Sequence, residues 1–224
     1  MFSALAQRTP RCLNLAELRA NLGIPEDRKL IVYLGCWRNT KESAICSGRC
    51  SKLCPSARRV HLLVDGFPTL PTTRNWRSNW GSPSMSPLLG GFQATKPRHL
   101  ALGDIAVAPK LSVTEGAGKL LNYMAVGLPT VAFDSPVASR ISWPGRCLRA
   151  GDVDSLVEKL LEIIDGGESA RKRSGSWGER LRQHVVQHFS WDMAGRQIIS
   201  IYDHLIERRA MPSHATSVGT RRET

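Results

Sequence analysis

The 224-residue chain has no run of about 18 apolar residues, so no membrane-spanning helix is expected. Its first residues, MFSALAQRTPRC, hold no apolar core of the kind that heads a secretory signal. A cytoplasmic chain with reduced cysteines is therefore expected, with peripheral membrane association left open. No internal repeat is present, and no helix-turn-helix, zinc-finger or RRM pattern. Acids are scarce: 19 Asp and Glu face 31 Lys and Arg, a formal charge of +12. The shortage is local. Between residues 36 and 97 the acids are Glu42 and Asp65, against a series of cations from Arg38 to Lys96.

An excess of this size raises nucleic acid as a partner, and scattered tryptophans could stack on bases. A basic nucleic-acid-binding protein is thus the alternative reading, although no specific nucleic-acid motif supports it. The same segment holds Cys36, Cys46, Cys50 and Cys54 in CWRNTKESAICSGRCSKLC. A Cys-x3-Cys-x3-Cys spacing is not that of a zinc or iron–sulfur site. No metal site is assigned.

What is present is an alternation of strands and helices. LIVYLG (30–35), VHLLVDG (60–66), DIAVAPK (104–110) and PTVAFD (129–134) read as buried strands. A short helix is expected over 15–22, a helical turn over 98–103, and three helices over GDVDSLVEKLLEIIDGG, ARKRSGSWGERLRQHVVQHF and SWDMAGRQIISIYDHLIERR. Asp152 and Ser190 are candidate N-caps, and Gly127 a helix stop. This order predicts an α/β fold: a Rossmann-like parallel sheet with helices on both faces. Between the third and fourth strands the chain runs through a Gly-rich loop, TEGAG, that leads into the helix KLLNYMAVG. A loop of this kind at a helix N-terminus offers free backbone N–H groups and a positive dipole end to an anion.

The stretch LALGDIAVAPKLSVTEGAGKLLNYMAVGLPTVAFD (100–134) resembles the C-terminal, donor-binding domain of GT-B glycosyltransferases of group 1, family 4. The match centres on TEGAGKLLNYMAVGLPTV, and weaker flanking similarity extends over 15–208. The resemblance implies transfer of a sugar from a nucleotide sugar, such as a UDP- or GDP-sugar, to an acceptor sugar or lipid. It implies that Glu115, Gly116, Ala117, Gly118, Lys119, Leu120 and Asn122 bind the donor. Glu115 would contact the sugar and Asn122 the ribose, where the family carries a glutamate. No resident cofactor, metal or catalytic residue is carried over. The family's acceptor-binding N-terminal domain has no counterpart in these residues, so a truncated chain, inactive alone, is expected. Residues 1–14 read as an irregular remnant and 209–224 as a disordered tail.

Three stretches, 35–55, 69–97 and 138–150, follow neither the helical nor the strand period. Read one frame over, permitted codons give regular patterns. From the third base of Asn75 they give LAQQLGIAEHVTFTGRI, and from the third base of Gly35 LLAEYQGKRHLLRAVQQAL. From the second base of Ala138 they give RAGYLGPAGVYAP. We therefore expect a frame-disrupted chain that is poorly folded in isolation, its sheet lacking a member and two covering helices.

Overall fold

The computed structural model describes residues 14–34, 59–66, 85–89, 96–110, 116, 118–141, 148–150 and 152–210. Its elements, in chain order, are α1 (Leu15–Asn21), β1 (Lys29–Leu34), β2 (Val60–Gly66), β3 (Met85–Leu89), α2 (Lys96–Ala101) and β4 (Ile105–Ala108). They continue with α3 (Gly118–Ala125), β5 (Thr130–Phe133), α4 (Pro136–Ile141), β6 (Leu148–Ala150), α5 (Val153–Asp165), α6 (Gly167–His188) and α7 (Trp191–Ala210). The six strands form one sheet in the order β3-β2-β1-β4-β5-β6. Every neighbouring pair is parallel.

The apolar runs become strands buried on both faces, with side chains alternating between two cores. Leu30, Val32 and Leu34 of β1 join Leu63, Ala106, Ala108 and Ala132 on one face, where α3 and α6 pack. Ile31 and Tyr33 join Val60, Leu62, Val64, Ile105, Val107, Val131 and Phe133 on the other, under Leu156, Leu160 and Ile164 of α5. The expected parallel α/β architecture is the one observed.

Helix ends follow the expected chemistry. Asp152 caps α5 in a capping box: Ser155 N–H donates to Asp152 Oδ1 at 2.8 Å, and Asp152 N–H donates to Ser155 Oγ at 2.9 Å. Met193 N–H donates to Ser190 Oγ at 3.2 Å at the start of α7. Gly127 follows α3 with a φ of 71°, a conformation that only glycine adopts without strain. Arg182 of α6 donates to the carbonyl of Ala125 at 2.7 Å, closing the same end of α3.

Two expectations are corrected. The sheet does not lose a member: β3 lies within 69–97 and pairs with β2 over Leu62↔Met85 to Gly66↔Leu89. Counted from Asn75, the VTFTG of the shifted reading falls on Met85–Leu89 itself. The position of this strand is set by the reach of the chain and the exposed edge of β2, since the residue pattern MSPLL does not announce it. Being an edge strand, it can accommodate Pro87, which has no N–H to donate. Likewise β6 and α4 form within or against 138–150, β6 pairing with β5. The last helix runs through Ala210, past the expected boundary at 208. The segment with Cys36, Cys46, Cys50 and Cys54 lies outside the described residues, as do 1–13 and the tail from 211.

Candidate donor site at the reversal of the sheet

From β1 the chain builds the sheet outward in one direction, through β2 and β3. It then returns to the other side of β1 and builds β4, β5 and β6. In a parallel sheet, ligands bind in the crevice at the carboxyl ends of the strands where this reversal occurs. Here that place is between β1 and β4. The two strands are in register only at Ile31↔Ile105 and Val32↔Ala106. Beyond those pairs they part.

The N-terminus of α3 stands over this opening. Of the loop before it, Gly116 is described; Glu115 and Ala117 lie outside the described residues. Lys110, just past β4, donates from Nζ to the carbonyl of Gly116 at 2.8 Å and so ties the loop to the strand. Lys119 stands in the first turn of α3. Its Nζ lies 3.3 Å from the Tyr33 hydroxyl and 4.8 Å from the centre of that ring, a cation resting on an aromatic face. Tyr33 belongs to the opposite face of the sheet from α3, so Lys119 reaches over the carboxyl end of β1.

The glycines leave space. A Cβ built on Gly116 or Gly118 meets nothing within 4 Å, and neither residue has a positive φ. Neither the backbone conformation nor local packing therefore requires glycine at these two positions. Leu120 is turned into the core at 3% exposure, so what it can offer a ligand is its backbone N–H. Asn122 is half-buried, one turn into α3. A small crevice continues from here along the ends of β4 and β5, lined by Ala108, Lys110, Lys119, Ala132, Phe133 and Ser135. Asp134 is a strand-end residue, accepting from Ser139 Oγ at 3.4 Å.

Below the helix N-terminus sits Tyr123, fully buried. Its hydroxyl accepts from Leu34 N–H at 2.7 Å and donates to the Val107 carbonyl at 3.3 Å. The sequence motif thus brings Gly116, Gly118 and Lys119 to the opening, with Asn122 one turn further along α3. Lys110, Tyr33 and Tyr123 are additions. Tyr123 could have been flagged by asking where a tyrosine inside an apolar helix stripe sends its hydroxyl. Among the described residues, no group of three or more His, Cys, Asp or Glu is placed to hold a metal ion. None of the described helices is long and apolar enough to cross a membrane.

Known proteins share this fold. An MMP alpha-(1->4)-mannosyltransferase of Mycolicibacterium hassiacum is 30% identical over 116 residues, which is 50% of this chain and 27% of the relative. Anabaena Alr3699/HepE, solved in complex with UDP, superposes with a TM-score of 0.67 at 15% identity, over 90% of this chain and 55% of that one. The C-terminal domain of the Francisella tularensis group 1 glycosyl transferase LpcC superposes with a TM-score of 0.59 at 16% identity, over 80% of this chain and 94% of that domain. The chain therefore spans about a quarter of the curated relative and about half of the Anabaena protein. The model of the family described as glycosyl transferases group 1 matches residues 28–166. The chain belongs to the group 1 glycosyltransferases and carries one Rossmann-like domain of their GT-B fold.

Proposed function

We propose that this domain binds the nucleotide-sugar donor of a glycosyltransferase, a UDP- or GDP-sugar, at the N-terminus of α3. The observation that carries the reading is the open space above Gly116 and Gly118, at a helix N-terminus and at the reversal of the sheet. The backbone N–H groups of Gly116, Ala117, Gly118, Lys119 and Leu120 line the diphosphate. Lys110 and Lys119 add positive charge on either side. The family resemblance assigns the donor sugar to Glu115 and the ribose to Asn122, which can hydrogen-bond a hydroxyl without carrying a charge. Cationic groups and a helix dipole held ready at the diphosphate stabilise the charge that develops on it as the sugar departs. The nucleotide sugar is a substrate, and no resident cofactor takes part.

Transfer to an acceptor, a sugar or a lipid, requires a second domain facing this one across the donor. These residues alone bind without transferring. The reaction belongs to the cytoplasm, where nucleotide sugars are the activated donors.

Calorimetric titration with UDP and with GDP tests the reading. One of the two binds, and Gly118→Val lowers its affinity at least tenfold without moving the thermal midpoint, because the added side chain fills space that the fold leaves empty. Absence of binding of either nucleotide at millimolar concentration overturns the proposal. So does a Gly118→Val variant that binds as well as the wild type.

A further inference from the structure

Tyr123 occupies a particular gap in the sheet. With β1 and β4 in register at Ile31↔Ile105 and Val32↔Ala106, the next rung of the ladder would join Leu34 N–H to the Val107 carbonyl. That bond is not made directly. The Tyr123 hydroxyl stands between the two groups, accepting from the first at 2.7 Å and donating to the second at 3.3 Å. One phenol thus satisfies the peptide groups of two strands that have parted, and it is anchored in the second turn of α3. Separating the strands by this width without leaving a buried N–H unpaired needs a group that both accepts and donates. A tyrosine hydroxyl does both.

We infer that Tyr123 is a positioning residue: its hydroxyl wedges β1 and β4 apart at the reversal point and pins α3, fixing where the helix N-terminus stands over the crevice. The hydroxyl touches no ligand. It acts through the backbone of Leu34 and Val107, and through the tilt of α3, on the N–H groups at Gly118 and Lys119. The consequence for donor affinity rests on the function proposed above; the wedge itself does not.

The test uses the full chain and Tyr123→Phe, which keeps the ring and removes the hydroxyl. Val185→Ala serves as a control, since Val185 is fully buried in the same core but stands on α6 and not on α3 or either strand of the gap. Without ligand, amide hydrogen exchange is read at Leu34 and at residues 122–125, the first amides of α3 with helical partners, with Val131 in β5 as the global reference. Tyr123→Phe is expected to speed exchange at Leu34 and at these α3 amides at least tenfold more than at Val131. Val185→Ala is expected to move all of them together. Exchange at Leu34 that tracks Val131 in Tyr123→Phe overturns the wedge. With UDP or GDP, whichever the wild type binds, Tyr123→Phe is expected to bind about tenfold more weakly and Val185→Ala unchanged. Equal affinity in Tyr123→Phe and wild type overturns the positioning role. If the wild type binds neither nucleotide, the proposed function fails, and the exchange measurement still decides the wedge.

Discussion

Helices α3 and α7 each carry an apolar stripe, and the structure treats them differently. In α3 the stripe of Leu120, Tyr123, Met124 and Ala125 is buried against the sheet and α6. In α7, Trp191, Ile198, Ile199, Ile201, Tyr202, Leu205 and Ile206 are all more than half exposed, Trp191 at 67% and Ile206 at 65%. Periodicity makes both sequences helical. It does not say what the stripe meets. The short helix is held by the sheet below, by Arg182 and Gly178 at its C-terminal end, and by Tyr123 bonded into two strands. The long helix holds its shape largely by its own backbone bonds. Packing is thus concentrated where the crevice is built.

The sharpest way to break this contrast is at the junction of α3 with α6. A Cβ on Gly178 would run into the backbone carbonyl of Gly127, deep inside van der Waals contact. Both partners are main chain, so neither can rotate aside, and Gly127 is already committed to a positive φ. Gly178→Ala is expected to destabilise the protein by about 4 kcal/mol, at the upper end of overpacking effects. Urea unfolding measures this. A loss below about 1 kcal/mol would mean that α6 does not press on α3 this closely.

The next effect comes from the same side of the sheet. His61 of β2 is buried at 3% exposure. Burial, with Arg28 and Arg19 adding their charge, lowers its pKa from 6.5 to about 4. The unfolded chain therefore takes up a proton as pH falls through 6.5, while the folded chain resists until about 4. Across that window the unfolded state binds more protons, so stability rises with pH. His61 contributes no penalty above pH 6.5 and costs about 3 kcal/mol by pH 4. Urea midpoints at pH 7.5 and 4.5 should differ markedly less in His61→Leu than in the wild type. An unchanged pH dependence would place His61 in solvent.

Much of this was legible in the sequence. The four central strands announced themselves as apolar runs, because a strand buried on both faces has no polar side to show. The caps at Asp152 and Ser190 and the stop at Gly127 are local chemistry, readable within a few residues. The two edge strands were not legible. MSPLL carries Pro87, and LRA is three residues long with Arg149 in the middle; each is a strand because a neighbour offers an open row of peptide groups. At the crevice, the Gly-rich motif gave Gly116, Gly118 and Lys119 because they lie within four residues of one another. Tyr33 and Tyr123 escaped because their contacts span 86 and 89 residues of chain. No local pattern encodes which strand end a phenol will reach.

The smallest expected effect is the one that sharpens the contrast most. Ile199 and Ile206 lie seven residues apart on α7, two turns along one face, at 61% and 65% exposure. Replacing both with glutamine removes apolar surface that water already reaches and keeps a good helix former at each position. Ile199→Gln with Ile206→Gln should change the unfolding free energy by no more than about 0.5 kcal/mol, the usual range for surface substitutions. The same measurement on a buried α3 residue, Met124→Ala, should show a loss of about 2–5 kcal/mol. If the α7 double variant instead loses more than about 1 kcal/mol, its stripe is packed in solution and the two helices are alike. If it does not, the apolar face of α7 contributes nothing to the fold that holds the crevice, and its sequence answers to something other than the stability of this domain.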